Sequence, residues 1–312
     1  MLGTLKSTLL QSPDYEDGYK QMLCAVEYAG AYEDSIEFHS FLLDKNPFNA
    51  LAWMNLGYAY SALEKYEAAG EAFGFAYAID DKNYDAYMEM GEILIHQKHF
   101  RRAVIVYKQA IALCGVSIMG LHKLGFCFER MSHYKTACQY YLKAIDLNGK
   151  DATSFYRMGV CAMAEKQFRL AIQFFNSAIA IDDSDENFYL DLARAYKNNN
   201  QLTKALRAYR IATDVAPDLE TSWVELIAFL LEANQMRTAE QITQEALLNI
   251  TTPRLEIFNL GIQYTLNRKK TALKLLKMFV EQTKGTKPSL LFKYFPALAN
   301  EKDIIDVMSN HI

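Results

Sequence analysis

Small residues recur along the chain at a fixed interval. Gly57, Gly91, Gly125, Gly159 and Ala193 stand 34 residues apart, and the same register passes through Ile227 to reach Gly261. Apolar positions move in step with them. Trp53, Tyr87, Leu121, Phe155, Tyr189 and Trp223 stand four places before the small residue, and Leu56, Met90, Leu124, Met158, Leu192 and Leu226 immediately before it. Ala69, Ala103, Ala137, Ala171, Ala205 and Ala239 follow twelve places after it, and Phe73, Tyr107, Tyr141, Phe175 and Tyr209 four places later still. In each window the apolar residues lie three or four apart in two runs. This predicts two amphipathic helices with facing stripes, joined by polar turns such as Glu64-Lys65 and Asn198 to Gln201. A glycine inside a helix costs about 1 kcal/mol relative to alanine, so its recurrence marks a crossing where the two axes need close approach.

The spacing resembles the tetratricopeptide repeat, whose pattern W-x-x-L-G-x-x-Y, A-x-x-x-F, A is met by Trp53, Leu56, Gly57, Tyr60, Ala69, Phe73 and Ala76. Pro47 and Pro217 fill the proline slot of their repeats, and Asp81, Gly115, Gly149 and Asp183 put turn-compatible residues there in others. The resemblance implies an all-α superhelical solenoid of antiparallel helix hairpins. Its repeats are expected at 16–49, 50–83, 84–117, 118–151, 152–185, 186–219, 220–253 and 254–287, after a lead-in over 1–15. The last repeat is one residue short in its turn, so that Ala272 supplies the small side chain. Residues 288–312 carry Leu290, Leu291, Phe292, Phe295, Ile304, Ile305 and Val307 and are expected to cap the final repeat, because the end of a solenoid needs its apolar face covered.

Composition agrees. Apolar residues make up 51% of the chain, with 6 Pro and 14 Gly, too few turn formers for a hairpin-rich β protein. The net charge of −4 argues against nucleic acid as a partner, since phosphate binding needs clustered Lys and Arg. No apolar run reaches the roughly 18 residues of a membrane span and no leader pattern follows Met1, so a cytoplasmic location with no membrane partner is expected. Five cysteines without a C-x-x-C pair suggest buried, reduced thiols. The chain has no phosphate-binding loop, dinucleotide fingerprint or H-E-x-x-H motif, so neither enzymatic activity nor a cofactor nor a metal is expected. His96 and His99 read as turn residues, and Asp182, Asp183, Asp185 and Glu186 as helix capping at a repeat junction.

In this family the first helices line a concave face that holds a segment of another protein, so residues there that the repeat does not require become candidates. One place after the aromatic column stand Met54, Met88, His122 and Tyr156, and one place after the small column Tyr58, Glu92, Phe126, Val160 and Arg194. Met and aromatic side chains make adaptable surfaces, which points to a peptide or amphipathic helix bound along repeats 2–5. The competing reading has these side chains packing against each other or against the chain's own tail. The family's carboxylate clamp is matched by Lys20 and Asn55 but not by Cys24, Asp85 and Glu89. Charge is uneven: residues 1–50 hold eight acids and three bases, whereas 268–293 hold Arg268, Lys269, Lys270, Lys274, Lys277, Lys284, Lys287 and Lys293 against Glu281. That asymmetry supports an alternative role, self-association into a homo-oligomer through the terminal repeats.

Overall fold

The computed structural model describes residues 1–282 and 289–309; Lys284, Lys287, Pro288 and the side chain of Leu290 lie outside the described set. Among the described residues there are 19 α-helices, a short 3-10 helix and no strand. The chain forms two compact units, residues 1–161 and 162–312.

The first unit begins with the lead-in helix α1 (Leu2–Gln11). Helix pairs follow: α2 (Glu16–Ala29) with α3 (Tyr32–Lys45), α4 (Ala50–Ala62) with α5 (Tyr66–Ile79), α6 (Tyr84–His96) with α7 (Phe100–Cys114), and α8 (Ile118–Arg130) with α9 (Tyr134–Leu147). Helix α10 (Ala152–Ala164) carries the boundary. The second unit continues with α11 (Phe168–Ile181), α12 (Glu186–Asn198), α13 (Leu202–Val215), α14 (Glu220–Glu232), α15 (Met236–Asn249), α16 (Pro253–Thr265) and α17 (Lys269–Gln282). It closes with α18 (Ser289–Tyr294), the 3-10 turn Pro296–Asn300 and α19 (Lys302–Ser309). Within each unit helices pack chiefly on their neighbours in sequence, the arrangement of a repeat array.

The glycine column has a direct steric cause. A Cβ built on Gly57 would lie 2.6 Å from Cε1 of Phe73, one on Gly91 2.3 Å from Cε1 of Tyr107, and one on Gly125 2.5 Å from Cε1 of Tyr141. Each ring comes from the second helix of the same hairpin and is fully buried, a burial that stabilises by about 1.5–3 kcal/mol. The last repeat departs from this. Its Gly261 receives Phe295, whose Cε2 would stand 2.2 Å from an added Cβ. Gly261 is the ninth residue of α16, one place past the crossing position, which Leu260 holds, and there it meets the C-terminal segment.

Six first helices start on side-chain caps, whereas α2 and α14 have none. Asn49, Asn83, Ser117, Asp185 and Thr252 each accept a bond from a backbone N–H in the first turn, and Asp151 accepts from Ser154 N at 3.3 Å. The aspartates near 182–186 thus cap α12, with Asp182 holding Ser184 just before it. Hairpin turns share another device. Gly30, Glu64, Lys98, Ser132, Lys166, Asn200, Asn234 and Asn267 all have φ near +60°. The amide after each reaches back five residues, as in Lys65 N to Tyr60 O at 2.9 Å and His99 N to Leu94 O at 2.7 Å. This is the Schellman closure, which satisfies the last carbonyls of the first helix. Asn267 lies 33 residues beyond Asn234 where the others keep 34. The α16–α17 turn has three residues, as the α14–α15 turn does, and the residue is lost in the connection 250–252 before α16, where 216–219 has four; this corrects the expectation of a short turn inside the last repeat.

Of the five cysteines, Cys127 and Cys161 are buried while Cys24 and Cys114 are exposed, which corrects the expectation of uniformly buried thiols. Burial pushes the Cys127 thiol up to about 12. Cys114 follows the last buried residue of α7, and Cys24 lies on the solvent side of α2 between the buried Met22 and Ala25.

Candidate functional site

The first helices of the amino-terminal unit carry two stripes. The column one place after the aromatic faces the next repeat. Met54 packs with Phe73, Ala86 and Ile93, and Met88 with Tyr107, Leu124 and Cys127. Both methionines are 6% exposed, so the expectation that they stand in an open band is corrected: they form its floor. Leu190, Val224 and Phe258 repeat this burial in the second unit. The column is a packing column because a hairpin stacks on its successor through that side of its first helix.

The column after the small residue is more open. Tyr58, Glu92, Phe126 and Val160 are half-buried, as is Tyr156 from the neighbouring column. Tyr58 sets its ring edge-on to Phe73 at 5.3 Å, and burial, followed by the charge of Glu89, pushes its hydroxyl above the ordinary range. Glu89's carboxyl is pushed above its ordinary range, first by burial and then by the charge of Glu92. Glu92 accepts a hydrogen bond from the Tyr107 hydroxyl and pairs with Lys123 at 3.0 Å. On α8 and α10, the Arg157 guanidinium lies 5.5 Å from the Phe126 ring and 5.9 Å from that of Tyr156. It also pairs with Glu129 at 3.5 Å, and Glu129 accepts from the Tyr141 hydroxyl at 3.0 Å. Burial raises the Glu129 carboxyl despite that cation.

His122 and Arg194 serve the scaffold. His122 Nε2 is 2.7 Å from Asp151 Oδ2 and 2.9 Å from Ser154 Oγ, while that hydroxyl donates to Asp151 at 2.6 Å. Serine, histidine and aspartate meet here, but both oxygens face the same ring nitrogen. A proton relay needs them on opposite nitrogens, so the trio ties α8 to the cap of α10. Arg194 is held by Asp191 on its own helix and, through two nitrogens, by Glu225 of α14. Of the two clamp-like residues, Asn55 is tied into the scaffold and Lys20 is exposed. Asn55 is buried and donates to Tyr19 O at 2.9 Å, and Lys20 faces Asp17. Among the described residues no group of three or more His, Cys, Asp or Glu is placed to hold a metal; His96 stacks on Tyr66 at 4.9 Å. No described helix is long and apolar enough to cross a membrane.

Comparison with known proteins matches residues 50–83, 84–115, 120–151 and 162–228 to tetratricopeptide-repeat sequence models, together more than half of the chain. The chain belongs to the tetratricopeptide-repeat family. Members of this family are typically non-catalytic scaffolds that bind other proteins or peptides. A TPR repeat-containing protein of Methanocaldococcus jannaschii is 36% identical over 81 residues, which is 24% of this chain and 14% of that protein. The chain therefore spans only a small part of that tetratricopeptide-repeat relative. Among solved structures, the type IV pilus biogenesis factor PilW is similar with a TM-score of 0.59 at 16% identity, over 70% of this chain and 99% of PilW. The Cut9–Hcn1 hetero-tetramer of the APC/C gives 0.55 at 18% identity, over 79% of this chain and 49% of that one. At these identities the likeness is one of fold.

Proposed function

We propose that the first helices of repeats 2–5 form a docking surface for a peptide or amphipathic helix of another protein. Tyr58, Phe126, Tyr156 and Val160 are its apolar contacts, Glu92 is its polar member, and Met54 and Met88 support it from below. The observation that carries this reading is the Phe126–Arg157–Tyr156 cluster, two half-buried rings bridged by a guanidinium on successive first helices. Aromatic and Arg side chains in partly desolvated positions are the composition of interface hot spots. Glu89 adds a preference. A carboxyl raised by burial and by a neighbouring acid is stabilised in its charged form by a cation, so an occupant bearing a basic side chain at Glu89 is favoured.

Self-association through the terminal repeats has weaker support. Of the basic cluster, Arg268 is taken up by Glu240 and Lys269 by Glu301 within the unit. The test is a quantitative pull-down with mass spectrometry, comparing the wild type with Tyr58→Ala/Phe126→Ala at matched helical circular dichroism. The reading predicts loss of the specific partners. An unchanged set of partners in the double variant would sink it.

A further inference from the structure

The second unit encloses a cavity that the repeat pattern does not call for. It has a volume of about 240 Å³ and lies where α14 and α16 meet the C-terminal segment at α18. Val224, Ile257 and Phe258, all at most 9% exposed, line it together with Tyr294. The Tyr294 ring stands 4.6 Å from that of Phe258. Its volume exceeds the ~150 Å³ that suffices for benzene, so there is room for an aromatic or branched side chain on the apolar side formed by Val224, Ile257 and Phe258.

Its charges are not balanced. Glu225, Arg254 and Lys293 border the cavity, but the Glu225 carboxylate is engaged on both oxygens by Arg194. Arg254 has a single long pairing, 3.6 Å to Glu220, and Glu220 also accepts the Thr252 hydroxyl. Lys293 lies 5.3 Å from the Tyr294 ring, and no carboxylate among the described residues pairs with it. A cleft with an apolar side therefore opens beside two cations, one of them held loosely and one held by an aromatic face alone.

We infer that this cavity is a second peptide-binding site, one that takes an aromatic or large aliphatic side chain of a partner segment with a carboxylate next to it. The apolar group fills the space against Ile257 and Phe258, and the carboxylate meets Lys293 and Arg254. The site depends on the C-terminal segment, because Lys293 and Tyr294 come from α18. It is independent of the surface on repeats 2–5.

The test is fluorescence anisotropy with three labelled peptides on the full chain. One has an internal Glu-Phe-Glu and an amidated end, one ends in Phe with a free carboxylate, and one has an internal Lys-Phe-Lys and an amidated end. At least one of the two acidic probes should bind, and which of them does tells whether the carboxylate belongs to a side chain or to a chain end. The lysine peptide should bind at least about tenfold more weakly. Thr221→Trp, which plugs the opening from an exposed position, and Lys293→Glu should each weaken the acidic probe by about tenfold or more. Tyr58→Ala/Phe126→Ala should leave it unchanged, which separates failure here from failure of the repeat 2–5 reading. Absence of binding by both acidic probes at millimolar concentration overturns the inference. Equal binding of the lysine peptide, or undiminished binding by Thr221→Trp with intact circular dichroism, overturns it as well.

Discussion

His39 lies on α3 with no solvent exposure, between Tyr19 at 6.0 Å and Phe38 at 5.3 Å. Its Nδ1 donates to Ser35 O at 2.8 Å, and its Nε2 has no hydrogen-bond partner. The environment favours the neutral ring. Burial pulls the pKa from 6.5 down to about 4, Ser35 opposes this through its carbonyl, and Lys6 adds to the lowering. Between those two values the unfolded chain binds a proton that the native chain refuses. Stability is therefore complete above about pH 6.5, falls as the pH drops towards 4, and levels off below that. A gap of 2.5 units at 1.36 kcal/mol each makes the full loss about 3 kcal/mol, of which about 2 kcal/mol appears between pH ~7 and ~4.5. Glu89 and Glu129, whose pKa values are raised, work in the opposite sense because their protonation relieves the native state. The raw slope therefore mixes both signs, and the comparison has to be between His39 and His39→Phe. In a Trp223→Phe background Trp53, on the helix next to α3, is the one remaining tryptophan, so urea unfolding followed by its fluorescence reports the amino-terminal unit. The wild type should lose about 2 kcal/mol more than His39→Phe on acidification. Identical acid slopes in the two proteins would refute the reasoning.

Three further predictions follow from the packing. Gly125→Val drives a side chain into the Tyr141 ring and should destabilise the first unit by about 1–3 kcal/mol or more; a neutral effect in urea unfolding would mean the hairpin is looser than drawn. Phe295→Ala empties the space over Gly261 and should cost the second unit about 3–5 kcal/mol, read from Trp223 fluorescence; a loss below about 1 kcal/mol would show that the C-terminal segment does not share that unit's core. Lys98→Gly, at an exposed turn with φ +61°, should stabilise by about 0.5–1 kcal/mol in thermal unfolding, because a left-handed conformation penalises any residue with a Cβ. Destabilisation there would indicate that the lysine side chain makes a contact worth more than the strain.

The register of the hairpins was readable because it rests on side-chain volume: a glycine or alanine faces a ring sixteen residues later, and both ends of that contact are visible as letters. The one-residue shortening of the last repeat was readable through Ala272, but not its place, which is the connection before α16 and not the hairpin turn. Two features were hidden. The left-handed turn column runs through Gly, Glu, Lys, Ser and Asn, a mixture without a residue signature, since its closure is made by backbone groups. The partner of Gly261 was hidden as well, because Phe295 lies far outside the spacing that the other repeats obey. For the candidate surface, periodicity separated required from surplus positions on each first helix but not which neighbour covers them. Met54 and Met88 are surplus within their own hairpins and become core only when the next hairpin stacks on them.

The backbone-closed turns also bear on how the chain comes off the ribosome. Each one seals a pair of helices from residues that are near each other in sequence, so the turn is closed, and in the hairpins of Gly57, Gly91 and Gly125 the ring-on-glycine contact is made, as soon as the 34 residues of that hairpin have emerged. At about 5–20 residues per second a new hairpin is exposed every ~2–7 s, far longer than the microseconds in which helices form. Each finished hairpin then waits for its successor to cover residues such as Met54 or Met88. The α16–α17 hairpin is covered by a different kind of element, so its Gly261 stays open until Phe295 is made, and over that interval the nascent chain exposes apolar surface of the kind chaperones recognise.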